Sequence, residues 1–522
     1  MPTGLDTAPQ RRHGASRDVV EPALVTTPKG PQERTQTEQE EFAGSKVFTL
    51  SDQLKFAQLS GDYNPMHIDE VAARRTQAGA PVVHGVHAVI WALDSIAQNY
   101  PFSTPSNLNV RFAKFMYLNS PIELKLVQRT QTVLKFELTT QGQSAVVATL
   151  GLPSKGMASY EPIVGQNVNE ILTEGDLPNE PSFEELSGLS GRLVPASYDE
   201  LHRIFPNVSK AITPQRLSGL AQLSKLVGMI SPGLHSIFAG FRVDFVEGTA
   251  IIEPYMKFTV TCTDPRFRLV RMDVTGCGLA GNVSAFSRWP PVESPPLTSL
   301  AAHVTASEFA GCTALIVGGS RGLGAVTAKI LALGGSKLII TYARGKGDAC
   351  KLADEINTYC GSQCCSTLHV DVRKDVRGQL ISLASAVTDF YYFATPPILP
   401  QNDGAFSPDL YATFSRFYLS GFFEAVQFLL SQARDGVLSA FYPSSVYVER
   451  RPTGLTEYSM VKMAGEILCA DLNRFYPRLR IRVERLPRVL TDQTRSVTPV
   501  ETADPVSIML PLIRNVHLGR LN

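Results

Sequence analysis

The stretch from Cys312 to Gly345, CTALIVGGSRGLGAVTAKILALGGSKLIITYARG, leaves few folds open. A short apolar run, TALIV, meets a glycine-rich turn, then a helix-like segment, then a second apolar run, KLIITY. Apolar runs of this kind, joined through a helix, read as strands of a parallel sheet covered on both faces, because parallel neighbours need a long crossover. The later runs TLHVDV and FYYFAT extend the sheet, so this part of the chain is expected to be an α/β domain with a doubly wound parallel sheet. The full 522 residues exceed one such core, and roughly two to four domains are expected.

The N-terminal part follows a different rule. PVVHGVHAVIWALDSIAQNYP, from Pro81 to Pro101, is apolar enough for a buried helix. Alternating segments follow, NLNVRFAKFMYL, IELKLVQRT, VLKFELTTQ and SAVVATLGL, which read as antiparallel strands. The pattern recurs: the helix-like LSGLAQLSKLVGMISPG precedes HSIFAGFRVDFVEG, AIIEPYMKFTVTC and FRLVRMDVTGCG. A helix with a strand meander, twice over, predicts a duplicated α+β unit. The expected organisation is a disordered tail over 1–42, a first unit over 43–155, an irregular linker over 156–195 and a second unit over 196–290. A proline-rich linker over 291–306 then leads to the C-terminal domain, 307–522.

Composition excludes some classes. A formal net charge of +1 gives no bulk field to recruit nucleic acid or an anionic membrane, and no apolar run approaches a membrane span. The N-terminus lacks the apolar core of a signal peptide, and the eight cysteines are irregularly spaced. A cytoplasmic protein with reduced thiols is expected. Cys360, Cys364, Cys365 and His369 read as a loop leading into a strand rather than as a metal site, and no metal is expected.

Two clusters carry chemistry. In LSGDYNPMHIDE, Leu59–Glu70, Asp62 and His67 are placed to hold one water between them, one accepting a proton while the other orients it. Pro65 stiffens the loop, Gly61 permits a tight bend, and Asn64 is suited to hydrogen-bond the loop to itself. The N–H of Gly85, at the start of the apolar helix, is a free helix-terminus donor suited to an oxyanion. On local chemistry alone the same residues also suit Asx-turns and a satisfied loop histidine.

FAQLSGDYNPMHIDEVAA, continued by ARRTQAGAPVVHGVHAVIWA, resembles the signature of the MaoC-like (R)-specific enoyl hydratases of the hot-dog superfamily. The match falls at Ser60, Gly61, Asp62, Asn64, Pro65 and His67, and the likeness covers roughly residues 45–155. The resemblance implies that Asp62 and His67 bind the water added across an enoyl thioester and that the Gly85 N–H polarises the thioester carbonyl. His84 and His87 are expected to be scaffold. It also accounts for the duplication as a double hot dog. The second copy lacks the Asp-x-Asn-Pro-x-His loop and would support the first, covering its helix and shaping an acyl tunnel. His235 in that copy reads as structural, with no acid partner near it in sequence.

In the C-terminal domain Gly318, Gly322 and Gly324 would bring the backbone of VGGSRGLG, with Ser320, Arg321 and Leu323, against a pyrophosphate at a helix N-terminus. The second strand ends without the acidic residue that binds a ribose 2′-hydroxyl. Arg344 and Arg321 would instead pair with a 2′-phosphate, which favours NADPH over NADH. Asp371 is placed to meet the adenine edge. Tyr458 and Lys462 stand four apart on an expected helix, so they share a face. The ammonium is expected to lower the phenol's pKa, and Ser445 to hydrogen-bond the same carbonyl oxygen as Tyr458. Together these resemble the short-chain dehydrogenase/reductase family over about residues 308–490, which implies a Rossmann fold and a nicotinamide cofactor. Three features depart from that family: Tyr418 where an asparagine is usual, FATP in place of Asn-Asn-Ala-Gly, and a short segment after RLPRVLTDQT.

The joint expectation is a bifunctional enzyme that reduces a 3-oxoacyl thioester of CoA or an acyl carrier protein and dehydrates the (R)-3-hydroxyacyl product. A homodimer or homotetramer is expected from the reductase resemblance. The competing readings are a nucleotide-binding scaffold that has lost reduction, a reductase of an unrelated ketone, and an acyl-binding hot dog without chemistry.

Overall fold

The computed structural model describes residues 41–102, 104–153, 177–194, 198–246, 255–383, 387–398, 405–433, 436–497 and 500–521. The tail expected over 1–42 lies, but for its last two residues, outside the described residues. The first half of the N-terminal region contributes five strands: β1 (Glu41–Val47), β2 (Asn107–Phe112), β3 (Pro121–Arg129), β4 (Val133–Thr140) and β5 (Gln143–Gly151). The second contributes β6 (Ser190–Leu193), β7 (Ser236–Phe245), β8 (Met256–Asp264), β9 (Leu269–Gly276) and β10 (Leu279–Ser287). They form one ten-stranded sheet in the order β1-β3-β4-β5-β2-β7-β10-β9-β8-β6. Counted from its own outer edge, each half runs first, third, fourth, fifth, second. The two meet at equivalent strands, β2 and β7, paired antiparallel with Val110 opposite Phe241.

Each half wraps its sheet around a helix inserted between its first two strands. In the first half this is Gly85–Asn99, whose Val86, Val89, Ile90, Leu93 and Ile96 are all buried. In the second it is Pro214–Lys225, N-capped by the Thr213 hydroxyl. Both helices and both sheet halves share one continuous apolar core. The Asp94 carboxylate ties the halves further, accepting from the backbone N–H groups of Asn207 (2.7 Å) and Val208 (2.9 Å).

Three features differ from the sequence expectation. The strand begun at Asn107 stops at Phe112, and the following residues turn away to line a cavity. The stretch expected to be an irregular linker, 156–195, contains β6, which pairs with β8 and closes the sheet edge. The second helix does not run evenly to its proline but loosens into a π-turn at Leu226–Ile230. The reason for that turn lies in the first site.

The C-terminal domain holds β11 (Thr313–Val317), β12 (Lys337–Tyr342), β13 (Cys365–His369), β14 (Asp389–Tyr392), β15 (Leu438–Ser445) and β16 (Leu479–Leu486). All pair in parallel in the order β13-β12-β11-β14-β15-β16, a Rossmann-type sheet. Separate apolar clusters fill its two faces. The strand order reverses between β11 and β14, where doubly wound folds open a crevice at the carboxyl ends of the strands.

Residues 40–522 cluster as one compact unit. The segment from Glu70 to Ala80 packs the N-terminal region onto the parallel-sheet domain. Glu70 pairs with Arg344, both Arg74 and Arg75 pair with Asp348, and the Gln77 side-chain amide donates to the Arg495 carbonyl. At Gly79, with φ +69°, an added Cβ would lie 3.1 Å from Pro397, so this left-handed glycine lets the turn sit on the loop after β14.

Candidate active sites

The first site is built on the exit from the helix Leu50–Ser60. Thr49 and Asp52 cap that helix reciprocally, and Gly61 ends it at φ 75°. Asp62 follows at once and is 1% exposed. Its Oδ1 accepts from the Asn64 N–H (3.1 Å), and its Oδ2 accepts from the Ser224 hydroxyl (2.6 Å) on the second half's helix. Burial raises the Asp62 pKa, opposed by His67, by the Ser224 hydroxyl and by the Asn64 N–H. Asn64 closes its own loop, its Oδ1 accepting from the Met66 N–H (3.0 Å). It also reaches across to the second half, its amide donating to the carbonyls of Gly228 (2.8 Å) and Gly233 (3.2 Å).

Gly228 lies in the π-turn, and no other residue fits there: a Cβ would stand 2.3 Å from Asp62 Oδ1. The widened turn brings its backbone against Asp62, and its carbonyl holds Asn64.

His67 makes a 2.8 Å contact from Nδ1 to the Val82 carbonyl. A carbonyl only accepts, so Nδ1 carries a proton there. The His84 ring stacks on His67, centroids 3.8 Å apart. His84 Nδ1 meets Gln53 Oε1 (2.8 Å), and Nε2 meets the Asp62 carbonyl (3.1 Å). Burial and the two neighbouring histidines push its pKa well below the usual imidazole value. His87 lies flat on Phe56, centroids 4.5 Å apart, and burial pushes it down to about 3, so it is a neutral ring in the core.

A carboxylate oxygen of Asp62 and a nitrogen each of His67 and His84 lie within 4.8 Å of one another. Two hydrogen bonds of about 2.8 Å meeting at one water span roughly 4.5–5 Å, so this spacing suits a bridging water. Asp62, His67, Gly85, Phe112, Met116 and Phe238 share a cavity of about 470 Å³. Gly85 opens its helix there, and no described residue accepts from its N–H. A Cβ on Gly85 would lie 2.7 Å from the Phe112 ring. His235, which has no acid partner near it in sequence, finds one 55 residues away: its Nε2 lies 2.7 Å from Glu180 Oε1, away from the cavity lining.

The second cavity, about 540 Å³, opens where the parallel sheet reverses. Gly318, Ser320, Arg321, Gly322, Leu323 and Gly324 all line it, as do Arg344, Asp371, Ser445, Tyr458 and Lys462. Gly318 (φ 77°) and Gly322 (φ 56°) need left-handed backbone, and a side chain on Gly324 would collide with the Gly318 carbonyl. The turn is thus a bare backbone cradle at the N-terminus of the helix Gly322–Leu333, which fits a pyrophosphate.

The arginines expected to await a phosphate are already engaged. Arg321 pairs with Asp492 (2.9 Å), and Arg344 with Glu70. Asp371 lines the cleft, but its carboxylate is held by Arg373 (2.8 and 2.9 Å), which draws its pKa down to about 2.

The Tyr458–Lys462 pair departs from expectation in its electrostatics. Burial pushes Tyr458 up to about 12, with the Ser445 hydroxyl drawing it partly back. Burial likewise pushes Lys462 down to about 7. The ammonium is not aimed at the phenol. Its Nζ donates to the Pro443 carbonyl (2.6 Å) and stands 3.7 Å from the centre of the Tyr418 ring, against 5.7 Å for Tyr458. The two unusual segments also touch: the Tyr418 hydroxyl lies 2.5 Å from Thr395 Oγ1, within FATP. Ser224, Gly228, Val82, Thr395 and Asp492 were not among the expected site residues. Ser224, Gly228 and Asp492 lie far along the chain from the groups they touch, while Val82 and Thr395 are nearer, 15 and 23 residues from theirs.

Comparison with known families gives a match over residues 25–148 to the MaoC like domain. A probable enoyl-CoA hydratase 2 of Dictyostelium discoideum is 29% identical over 123 residues, covering 23% of this chain and 40% of that protein. The peroxisomal hydratase-dehydrogenase-epimerase of Saccharomyces cerevisiae is 26% identical over 91 residues, covering 17% of this chain and 10% of that protein. The chain therefore spans less than half the length of either relative. Among solved structures, a short chain dehydrogenase of Salmonella enterica serovar Typhi aligns with 18% identity and a TM-score of 0.38, covering 42% of this chain and 95% of that one. The FolM alternative dihydrofolate reductase 1 of Brucella canis, complexed with NADP, aligns with 17% identity and a TM-score of 0.37, covering 42% and 91%. Among the described residues no helix is long and apolar enough to cross a membrane. The chain carries a MaoC-like domain, joined to a doubly wound domain whose cleft gathers a glycine turn with Ser445, Tyr458 and Lys462.

Proposed function

We propose that this chain is a bifunctional enzyme of acyl-thioester metabolism, an (R)-3-hydroxyacyl dehydratase/enoyl hydratase joined to an NADPH-dependent 3-oxoacyl reductase. The observation that carries the first activity is the meeting of Asp62, His67 and the Gly85 N–H in one cavity. Asp62 and His67 hold the water lost from or added to C3 and between them move its protons. The Gly85 N–H takes the charge that develops on the thioester oxygen when C2 is deprotonated. The apolar walls, Phe112, Met116 and Phe238, suit an acyl chain. We read the ten-stranded sheet as a double hot dog, with the repeated strand order and Ser224 and Gly228 supporting a second half that shapes the first half's site.

In the second domain, the glycine turn would hold the pyrophosphate of NADPH, which supplies the hydride when bound. Tyr458 would donate its proton to the carbonyl oxygen, and Ser445 would orient that oxygen. The raised Tyr458 pKa keeps the proton on the phenol, as a donor needs. For a dimer or tetramer, the support is an exposed apolar stripe on the helix Thr456–Phe475, made by Met460, Met463 and Ile467.

A second reading, a cofactor-holding domain that does not reduce, is favoured by Lys462 turning onto Tyr418. The deciding assay supplies acetoacetyl thioesters, as CoA and as carrier-protein conjugates, with NADPH, and follows NADPH absorbance and acyl products by mass spectrometry. NADPH loss with an enoyl product, abolished by Tyr458→Phe, supports the bifunctional reading. Hydration of crotonyl thioester without NADPH loss supports the scaffold.

A further inference from the structure

Four guanidinium groups line the nucleotide cleft, and one of them does not belong to the parallel-sheet domain. Arg321, Arg344 and Arg373 come from the domain itself, while Arg74 comes from the MaoC-like region, seven residues after His67. We infer that Arg74 binds the 2′-phosphate of the dinucleotide, so that the phosphate site is assembled from both halves of the chain. This rests on the reading of the cleft as a nicotinamide-dinucleotide site.

The position carries the first part of the argument. Arg74 lies against Gly345, where a side chain would collide with its guanidinium. Gly345 follows Arg344, just past the end of β12, and that strand end is where dinucleotide folds discriminate a ribose 2′-hydroxyl from a 2′-phosphate. The Arg74 side chain is only 13% exposed. One nitrogen binds Asp348, and its Nε is shielded from solvent with no partner among the described residues.

Charge carries the second part. Burial lowers the Arg321 pKa, and Arg74 and Arg75 lower it further against the pull of Asp492, so like charges crowd one spot. A phosphate monoester brings about −1.5 to −2 charges and three acceptor oxygens, where a neutral hydroxyl brings neither. The Arg344–Glu70 pair is exposed on both sides, so Arg344 is free to exchange its partner at little cost.

The test uses the full-length protein and reads binding, not turnover. Dissociation constants for NADPH and NADH are measured by calorimetry on wild type, Arg74→Ala, Arg74→Lys and the double variant Arg74→Ala/Asp348→Asn. The double variant removes the carboxylate that Arg74→Ala would leave to Arg75 alone. The expected result is NADPH binding weakened roughly 10- to 100-fold in both alanine variants, with the lysine variant between them and NADH nearly unchanged. Equal weakening of NADPH and NADH would make Arg74 a structural tie and overturn the assignment. Unchanged NADPH binding would overturn it too. If wild type bound neither dinucleotide, the reading of the cleft itself would fall, and this assignment with it.

Discussion

Replacing Gly228 by alanine should silence the MaoC-like site by displacing Asp62, with every proposed catalytic group still present. The added Cβ would stand 2.3 Å from Asp62 Oδ1. A carbon and an oxygen settle at about 3.3 Å or more, so the two must part by about 1 Å. Neither is free to yield. Asp62 is fixed by Ser224 and the Asn64 N–H, and the Gly228 carbonyl holds the Asn64 amide. Such overpacking costs about 1–3 kcal/mol of stability, little enough for a chain of this size to remain folded. A reacting group displaced by ~1 Å loses on the order of 100-fold in rate. Hydration of crotonyl-CoA, followed by loss of enoyl absorbance, should fall by that factor while NADPH binding in the other cleft stays unchanged. Gly347→Ala, where an added Cβ meets nothing within 4 Å, is the control. A folded Gly228→Ala enzyme that hydrates as fast as wild type would refute the claim that the second half sets the Asp62 position.

Three further outcomes are expected. Burial raises the Asp62 pKa, so its contribution to stability is full below the unfolded value of about 3.9 and is lost as pH rises through the folded value. Asp62→Asn should therefore abolish hydration yet melt no lower than wild type at neutral pH, the comparison to be made by calorimetry from acid to neutral pH. Lys462 is pushed down to about 7 in the fold, so the unfolded chain holds a proton the folded chain lacks between about 7 and 10.4. Denaturant titrations should show wild-type stability rising with pH across that window, and Lys462→Met should lose that rise. Among the described residues the two cavities share no lining residue, so an intermediate is expected to pass between them through solvent. Excess unlabelled 3-hydroxyacyl-CoA should accordingly dilute the label that passes from a labelled 3-oxoacyl-CoA to the enoyl product.

What the sequence reveals and what it hides follow the distance over which each feature is encoded. Asp62, Asn64, Pro65 and His67 fall within six consecutive residues, so their loop is readable as one string. The Gly318–Gly324 turn and the Tyr458, Lys462 spacing are local in the same way. Ser224 and Gly228 act on Asp62 from more than 160 residues away, Gly228 through a π-turn that neither helix propensity nor apolar period announces. The identity of Arg321 and Arg344 is plain, but Asp492 reaches Arg321 from far along the same domain, and Glu70 reaches Arg344 only through the docking of two domains. The expected fall in the Tyr458 pKa failed for a related reason. It assumed an ammonium in water beside a phenol, whereas both groups are buried and the nearer ring is Tyr418.

The segment between His67 and Gly85 reads as a mere connection between two motifs, yet it forms the partition between the clefts. Val82 on one side holds the His67 Nδ1, and Arg74, Gly79 and Ala80 on the other line the second cavity. Its path is set by the parallel-sheet domain through Asp348, Pro397 and the Arg495 carbonyl. The departures from the reductase pattern lie near the same seam: Pro397, which follows FATP, packs on Gly79, and Thr395 within FATP binds Tyr418. A segment held by contacts on both faces cannot vary to suit one cavity alone. This ties the unusual residues of the second site to the docking of the first, so that the two clefts form one structural problem rather than two enzymes on a string.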